Sequence, residues 1–557
     1  MLTMRSFVCA GVLTFLAGAT FAQSGNPPKF DIADVHVSAK ATNQFMRTSP
    51  ARNGHYEIKN ATMLDLVRTA YGVVPDRVLG GPNWLELDRF DVIAKMPDGA
   101  DVEAQRAMLQ SLLEDRFKLV ARKETKPLPT WVLTAGKQHR LKEADGTGQS
   151  GCRIPDGPTA PGEGVIRLFR MEQDGKQTAI TLGPGGVVQY SCRNITMGAF
   201  AAELRSMLGA QVGPDPVIDE TGLKGTWTFD VRWSIGLIAL TNQGEQISVA
   251  DAIDKQLGLK LEQRPTLKQV VVVESVGRTP TSNVANIAQL LPTPPAPTEF
   301  EVADVKLAPP PSPTQPPMIQ MQTQPGGRFT CRGCPMRMLL QRAFNSNNSE
   351  KLAGVPPGVD TVRVDIIAKA SSDVGAGPGI DQEIIAPLVR NLLVTRFKMM
   401  SHEEERSVNA YSLVALKPKL KKADPDSRIF CRRGQAALGS PPGSQMLTCQ
   451  NATMAFFAEQ LQAPGLNWPV LDATGLEGGW DFALTFSILP AALLNAGRGG
   501  PPGADGQPAA LPSASDPNGG YTIFEAIEKQ LGLRLKAEKR HEKVIVVDHI
   551  ETTPTEN

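Results

Sequence analysis

The sequence predicts an α+β fold written as two homologous domains, each made of two β-α-β-α-β-β half-repeats with helices packed on mixed or antiparallel sheets. Three observations carry this expectation. Ordered motifs recur across the two halves of the 557-residue chain. Within each half, short helices with one apolar face alternate with runs rich in β-formers. The phrase Asn-x-Thr-Met, at Asn60, Asn194 and Asn451, stands before a helix three times.

The chain opens with Arg5 ahead of an apolar run that ends in Thr20-Phe21-Ala22, a small-x-small pattern. This reads as a secretory signal peptide, residues 1–22, cut after Ala22. The run is too short for a membrane span, and Cys9 lies ahead of its end, where lipid attachment does not occur. A secreted or periplasmic protein without membrane insertion is therefore expected. The formal net charge is +1, and no basic patch or acidic tail suits nucleic acid. With 41% apolar residues the chain can bury substantial cores, and its length favours several domains.

Copy one occupies 23–277, a Pro-rich linker 278–299, and copy two 300–552. "FDIADVHV" at Phe30 returns as "FEVADVKL" at Phe300, and "LLEDRFKLV" at Leu112 as "LLVTRFKMM" at Leu392. "PVIDETGLKGTWTFDV" at Pro216 returns as "PVLDATGLEGGWDFAL" at Pro469, and "ADAIDKQLGLKL" at Ala250 as "FEAIEKQLGLRL" at Phe524. In the first half of copy one, a strand ending at Asn60 leads to a helix at 62–71, the strand "RFDVIAKM", a helix at 101–115, and the strands "FKLVARKE" and "TWVLTA". The second half repeats the order: a strand ending at Asn194, a helix at 196–208, "TWTFDVRWS", a helix at 248–257, then "LKLEQR" and "QVVVVESV". Stretches 144–186, 307–327, 433–446 and 487–519 are rich in Gly and Pro, lack periodicity and read as mobile loops.

The repeated phrase reads as architecture. Thr or Asn ahead of an apolar-periodic run accepts hydrogen bonds from free helix N–H groups, and Thr62 with Asp65 forms a capping pattern. Met63, Leu66, Val67 and Ala70 then share one face. The same residues spell glycosylation sequons, which capping already accounts for. The fourth unit, "TCRGCPMRMLLQRAF", keeps Met336 but loses the Asn and Thr.

Six cysteines follow the leader, an even number that favours disulfides in an oxidising compartment. Equivalent positions pair Cys152 with Cys192 and Cys431 with Cys449, leaving Cys331 and Cys334 for a local bridge. Cys331-Arg332-Gly333-Cys334 joins a strand to a helix start, a setting that also suits a redox-active dithiol. One CxxC cannot complete a zinc site, and "HEEER" at His402 lacks a second ligand at helical spacing. No GxSxG elbow or P-loop is present. Neither a cofactor, a metal nor a catalytic residue is expected. Trp84, Trp131, Trp227 and the acids Glu403 to Glu405 are candidates for a binding face, beside their plainer reading as core and solvated strand edge.

Taken together, "FDIADVHVSA", "IKNATMLDLVRTAYGV", "LGGPNWLELDRFDVIAK", "MLQSLLEDRFKLVARKE" and "PVIDETGLKGTWTFDV" resemble the soil-associated family of uncharacterised exported bacterial proteins, built on a domain of unknown function. The resemblance covers nearly the whole chain after the leader, twice. It implies an extracytoplasmic location and, in some relatives, attachment to membrane sensor peptidases of the beta-lactam receptor type; it carries over no catalytic residue. Copy two departs at "LAGVPPGVDTVRV", which loses Trp84. The strand–helix–strand units are also similar to the small signalling modules of secretins and outer-membrane receptors, which points towards docking. The functional expectation is a non-catalytic interaction module of the cell envelope, its partner an envelope protein or a cell-wall fragment. The alternatives are a thiol-disulfide oxidoreductase using Cys331 and Cys334, and a purely structural envelope protein. The oligomeric state is not legible.

Overall fold

A computed structural model describes residues 27–39, 45–52, 54–155, 166–171, 177–182, 187–208, 215–234, 247–292, 297–309, 319–324, 326–346, 351–371, 382–436, 440, 444–461, 466, 468–487 and 521–555. The leader and Ala22 lie outside them.

The first half of copy one builds a four-stranded antiparallel sheet in the order Ile32–Val37, Arg89–Lys95, His55–Thr62, Arg47–Arg52. Helices Met63–Tyr71 and Val102–Phe117 cover it. The apolar face read from the sequence is the buried one: Met63, Leu66, Val67 and Ala70 have no exposure, and Phe90 meets Phe117 edge-on at 4.9 Å. Each fully buried large side chain contributes about 1.5–3 kcal/mol. The second half repeats the plan with Lys142–Glu143, Trp227–Ser234, Val187–Ile195 and Gly151–Arg153. Its core gathers Phe200, Leu204, Trp227 and Val231. Copy two has sheets of the same order, built from its own strands.

The two halves of a copy are joined by one ribbon. Val120–Ala135 and Leu259–Ser275 pair antiparallel along their length, from Leu259 opposite Ala135 to Ser275 opposite Val120. Val78–Gly80 of the first half flanks one end in parallel, and Ile218–Asp219 of the second half flanks the other. The sequence reading ended each half with two separate strands; in the structure those two are one strand that crosses into the other half. Pro127, Pro129 and Pro265 stand in the intervals between them. They are tolerated because the middle of the ribbon is only two strands wide, so a missing N–H can face solvent. Met400–Ala415 and Leu533–His549 form the same ribbon in copy two.

Two further expectations are corrected. The stretches read as loops contain the strands Gly151–Arg153, Ile166–Met171, Gln177–Leu182, Gln320–Gln324 and Phe430–Gln435, each paired with a neighbour. For Gly151–Arg153, pairing supplied by a neighbouring strand outweighs weak local propensity. Nearly all of 487–519 lies outside the described residues. The helix expected at 248–257 is a single α turn, Val249–Asp251, running into a π turn, Ala252–Gln256, and copy two repeats this at Ile527–Leu531. Gly258 closes it at φ +69°, where a Cβ would collide with the Gln138 carbonyl, so only glycine fits.

After the ribbon the chain lies back on copy one. Gly277 N–H donates to the Phe117 carbonyl at 2.6 Å and Thr281 N–H to that of Arg116 at 2.9 Å. Asn283 then bridges Asp34 and the backbone of Val35. Among the described residues no helix is long and apolar enough to cross a membrane.

Candidate functional site

The repeated phrase divides its labour between two residues. Asn60, Asn194 and Asn451 adopt left-handed backbone at φ 55°, 46° and 47°, and Gly333 takes the same place at 58°. Each sits at a β-bulge, where the strand register shifts just before the helix. The N–H of Asn60 donates to Asp91 at 2.8 Å, that of Asn451 to Asp481 at 2.9 Å and that of Gly333 to Asp365 at 2.7 Å. Capping belongs to the threonine: Thr62, Thr196 and Thr453 accept from the N–H three residues on, at 3.1–3.2 Å. Asn is therefore a bulge residue rather than a cap. Asn and Gly are the residues that tolerate φ > 0, a signal the sequence carried.

The cysteines lie inside this frame. Cys152 stands directly opposite Cys192, and Cys431 opposite Cys449, with Cα atoms 4.0 and 4.1 Å apart and the sulfurs at disulfide distance. Cys331 and Cys334 span the fourth bulge, also at disulfide distance, with Cα atoms 5.8 Å apart. Both are fully buried among Phe329, Met336 and Leu339. A redox dithiol must admit a partner thiolate to its sulfur, and this burial denies it one.

The other sequence candidates do not converge. Trp84 belongs to the core of the first half of copy one, while Trp131 and Trp227 pack in the core of the second. Glu403, Glu404 and Glu405 lie exposed on the copy-two ribbon, where His402 pairs with Asp548 at 2.9 Å. Among the described residues no group of three or more His, Cys, Asp or Glu is placed to hold a metal.

What the structure does assemble is a contact between the copies. The turn after the first helix of copy one presents Asp76, Val78, Asn83 and Glu86. Against it lies the copy-two loop Pro425–Arg432. Arg432 grips the Glu86 carboxylate with two nitrogens, at 3.1 and 2.7 Å, and reaches Asp76 at 2.9 Å. Arg428 adds a contact to Glu86 at 3.5 Å and donates to the Val78 carbonyl at 2.8 Å. The backbone joins in: Ile429 N–H donates to the Asn83 carbonyl at 2.9 Å, and the Asn83 amide to the Pro425 carbonyl at 3.1 Å.

Glu86 is only 9% exposed and Arg428 17%, so these charges interact in a setting drier than an ordinary surface pair. Burial pushes the Arg428 guanidinium below its ordinary value, an effect that Glu86 opposes. The Asn451 amide steadies the loop by donating to the carbonyls of Pro425 at 3.0 Å and Ser427 at 2.7 Å. Thus the bulge residue of copy two's second half supports the loop that receives copy one. No spacing in the sequence links Glu86 to arginines more than 340 residues away. The one available signal was the divergence of copy two at 355–362, the counterpart of the turn that docks.

A family model described as a protein of unknown function, DUF3738, matches residues 64–276 and again 337–550. No curated protein and no solved structure matches the chain.

Proposed function

The chain belongs to the DUF3738 family, whose domain it carries twice, and from that premise we propose that it is an exported cell-envelope protein that works by docking domains rather than by catalysis. The second half of one copy recognises an acidic turn on the first half of another. The observation that carries this reading is the Glu86 carboxylate, nine-tenths buried and held by Arg428 and Arg432. A bidentate guanidinium–carboxylate pair fixes orientation as well as contact, and its desolvation makes a wrong partner costly. Removing one member of such a pair leaves a buried charge unmatched, at a cost of about 3–5 kcal/mol.

Export belongs to the same reading. The leader pattern ending at Ala22 and three cysteine pairs at disulfide distance support it. Mass spectrometry of the protein from an expressing bacterium should find an envelope species beginning at Gln23; a cytoplasmic species beginning at Met1 would refute it.

The docking itself is tested with a protease site placed between Leu291 and Pro297 of the full chain. After cleavage the two copies should co-elute in gel filtration. Glu86→Arg should separate them, and adding Arg432→Glu should bring them back together. Wild-type copies that part on cleavage would refute the reading.

A further inference from the structure

The contact inside the chain uses one face of each copy, and each copy also holds the face the other has used. Aligned on Cys152 and Cys431, the copy-one counterparts of Arg428, Ile429 and Arg432 are Gln149, Ser150 and Arg153. Gln149 and Arg153 border an open cleft of about 510 Å³, lined also by Thr147, Arg193 and Asn194. Among the described residues Arg153 makes no ion pair and is exposed. Among the described residues the side-chain amide oxygen of Asn194 is buried without a hydrogen-bond partner, while its backbone carbonyl accepts from the Ser150 hydroxyl at 2.7 Å; the side-chain amide of its counterpart Asn451 instead holds its loop in place. Asp145, an acid that lines the cleft, is turned to Thr147, whose N–H and hydroxyl it accepts at 3.0 and 2.8 Å, and Glu203 beside the cleft accepts from the Cys152 N–H at 3.1 Å.

The opposite face lies on copy two. Val78–Arg89 aligns without a gap on Leu352–Arg363, so Leu352 replaces Val78, Pro357 replaces Asn83 and Asp360 replaces Glu86. Asp360 is 63% exposed and is steadied by Arg337, whose second nitrogen reaches it at 3.0 Å.

We propose that the copy-two turn Leu352–Thr361 of one molecule docks on the copy-one face Gln149–Arg153 of a second, with Arg153 on Asp360, so that chains join head to tail. This rests on the docking reading above and extends it from within a molecule to between molecules. Three of the contacts seen inside the chain have counterparts: Arg153 to the Asp360 carboxylate, Ser150 N–H to the Pro357 carbonyl, and the Gln149 amide to the Leu352 carbonyl. Two are missing, because Pro357 has no amide to donate and Gln149 brings no second guanidinium, and the counterpart of Asp76, Glu350, lies outside the described residues. The joint between molecules is therefore weaker than the one within, and it lacks the tether that raises local concentration to the millimolar range. Because the two faces differ, each added molecule leaves one of each kind free, and the assembly stays open rather than stopping at a dimer.

The test is sedimentation of the full chain up to about 1 mM, the range set by the tethered contact. Wild type should sediment faster as concentration rises, with no plateau at the dimer. Arg153→Ala and Asp360→Ala should each remain monomeric. An equimolar mixture of the two should stop at a one-to-one dimer, because each variant retains the face the other has lost, and the charge-swapped double variant, Arg153→Glu with Asp360→Arg, should regain open growth. Neither residue takes part in the contact within the chain, so the linker-cleavage assay checks that both variants still fold and dock internally. A wild type that stays monomeric to about 1 mM, a single variant that assembles as wild type does, or a mixture without a capped dimer would overturn the proposal. Cleaved copies that separate defeat the docking reading itself; cleaved copies that hold while the whole chain stays monomeric defeat only this extension.

Discussion

Replacing Asn451 by alanine removes two things that the fold separates cleanly. Its amide donates to the Pro425 and Ser427 carbonyls at 3.0 and 2.7 Å, and its backbone sits at φ 47° with the residue 6% exposed. Each lost hydrogen bond costs about 1 kcal/mol net. A left-handed backbone adds roughly 1–2 kcal/mol for a residue with a plain Cβ. Asn451→Ala should therefore lose about 3 kcal/mol. Asn451→Gly, which loses the bonds and keeps the φ, should lose about 1 kcal/mol less. For a domain of this size 1 kcal/mol moves the midpoint by about 2–4 °C, so calorimetry should place the copy-two transition of the alanine variant about 6–12 °C below wild type. Because the same amide steadies the Pro425–Arg432 loop, the alanine variant should also loosen the linker-cleaved copies. An alanine variant as stable as the glycine variant would refute the backbone argument, and two variants indistinguishable from wild type would refute the role of the amide as well.

Three other outcomes follow from the same structure. At the fourth bulge, Gly333→Asn should be tolerated within about 0.5 kcal/mol, since Asn fills this place in the other units, whereas Gly333→Ala should cost about 1–2 kcal/mol in urea unfolding. Burial lifts the Tyr56 phenol well above its ordinary value of 10.0; the unfolded chain ionises first, so this stability is full below pH 10 and falls as pH rises towards the folded value. Tyr56→Phe should flatten that alkaline limb of the stability curve, and an unchanged limb would count against it. Non-reducing peptide mapping should recover Cys152 with Cys192, Cys331 with Cys334 and Cys431 with Cys449, and native protein should expose no thiol among the six.

Much of the fold was legible because it is written in local rules that repeat. The face Met63, Leu66, Val67 and Ala70 is a helix stripe in the sequence and a buried surface in the structure. Where reading failed, a distant partner had decided the matter. Pro127 and Pro129 mark a break by every local criterion, yet the chain runs straight through them because Leu267 and Pro265 stand opposite. Gly151–Arg153 has little strand propensity of its own and is held by pairing with Ser191–Arg193. Asn451 drew attention for the right reason, its recurrence, but its task depended on a φ angle and a loop that no spacing reveals. The contact on Glu86 was invisible for a different cause: nothing near Glu86 in the chain distinguishes an acid that meets two arginines from one that meets water.

The ribbon also sets a schedule. Its first arm, Val120–Ala135, leaves the ribosome about 120 residues before its partner Leu259–Ser275. At about 5–20 residues per second that is a wait of some 6–24 s. During that interval a 16-residue strand has nothing to pair with along most of its length, a hazard in a newly made chain. Copy two meets the same delay with Met400–Ala415. The charges along the first half of these arms, from Arg122 to Lys126 in one and from Glu403 to Arg406 in the other, are what a waiting strand needs to stay apart from its own kind.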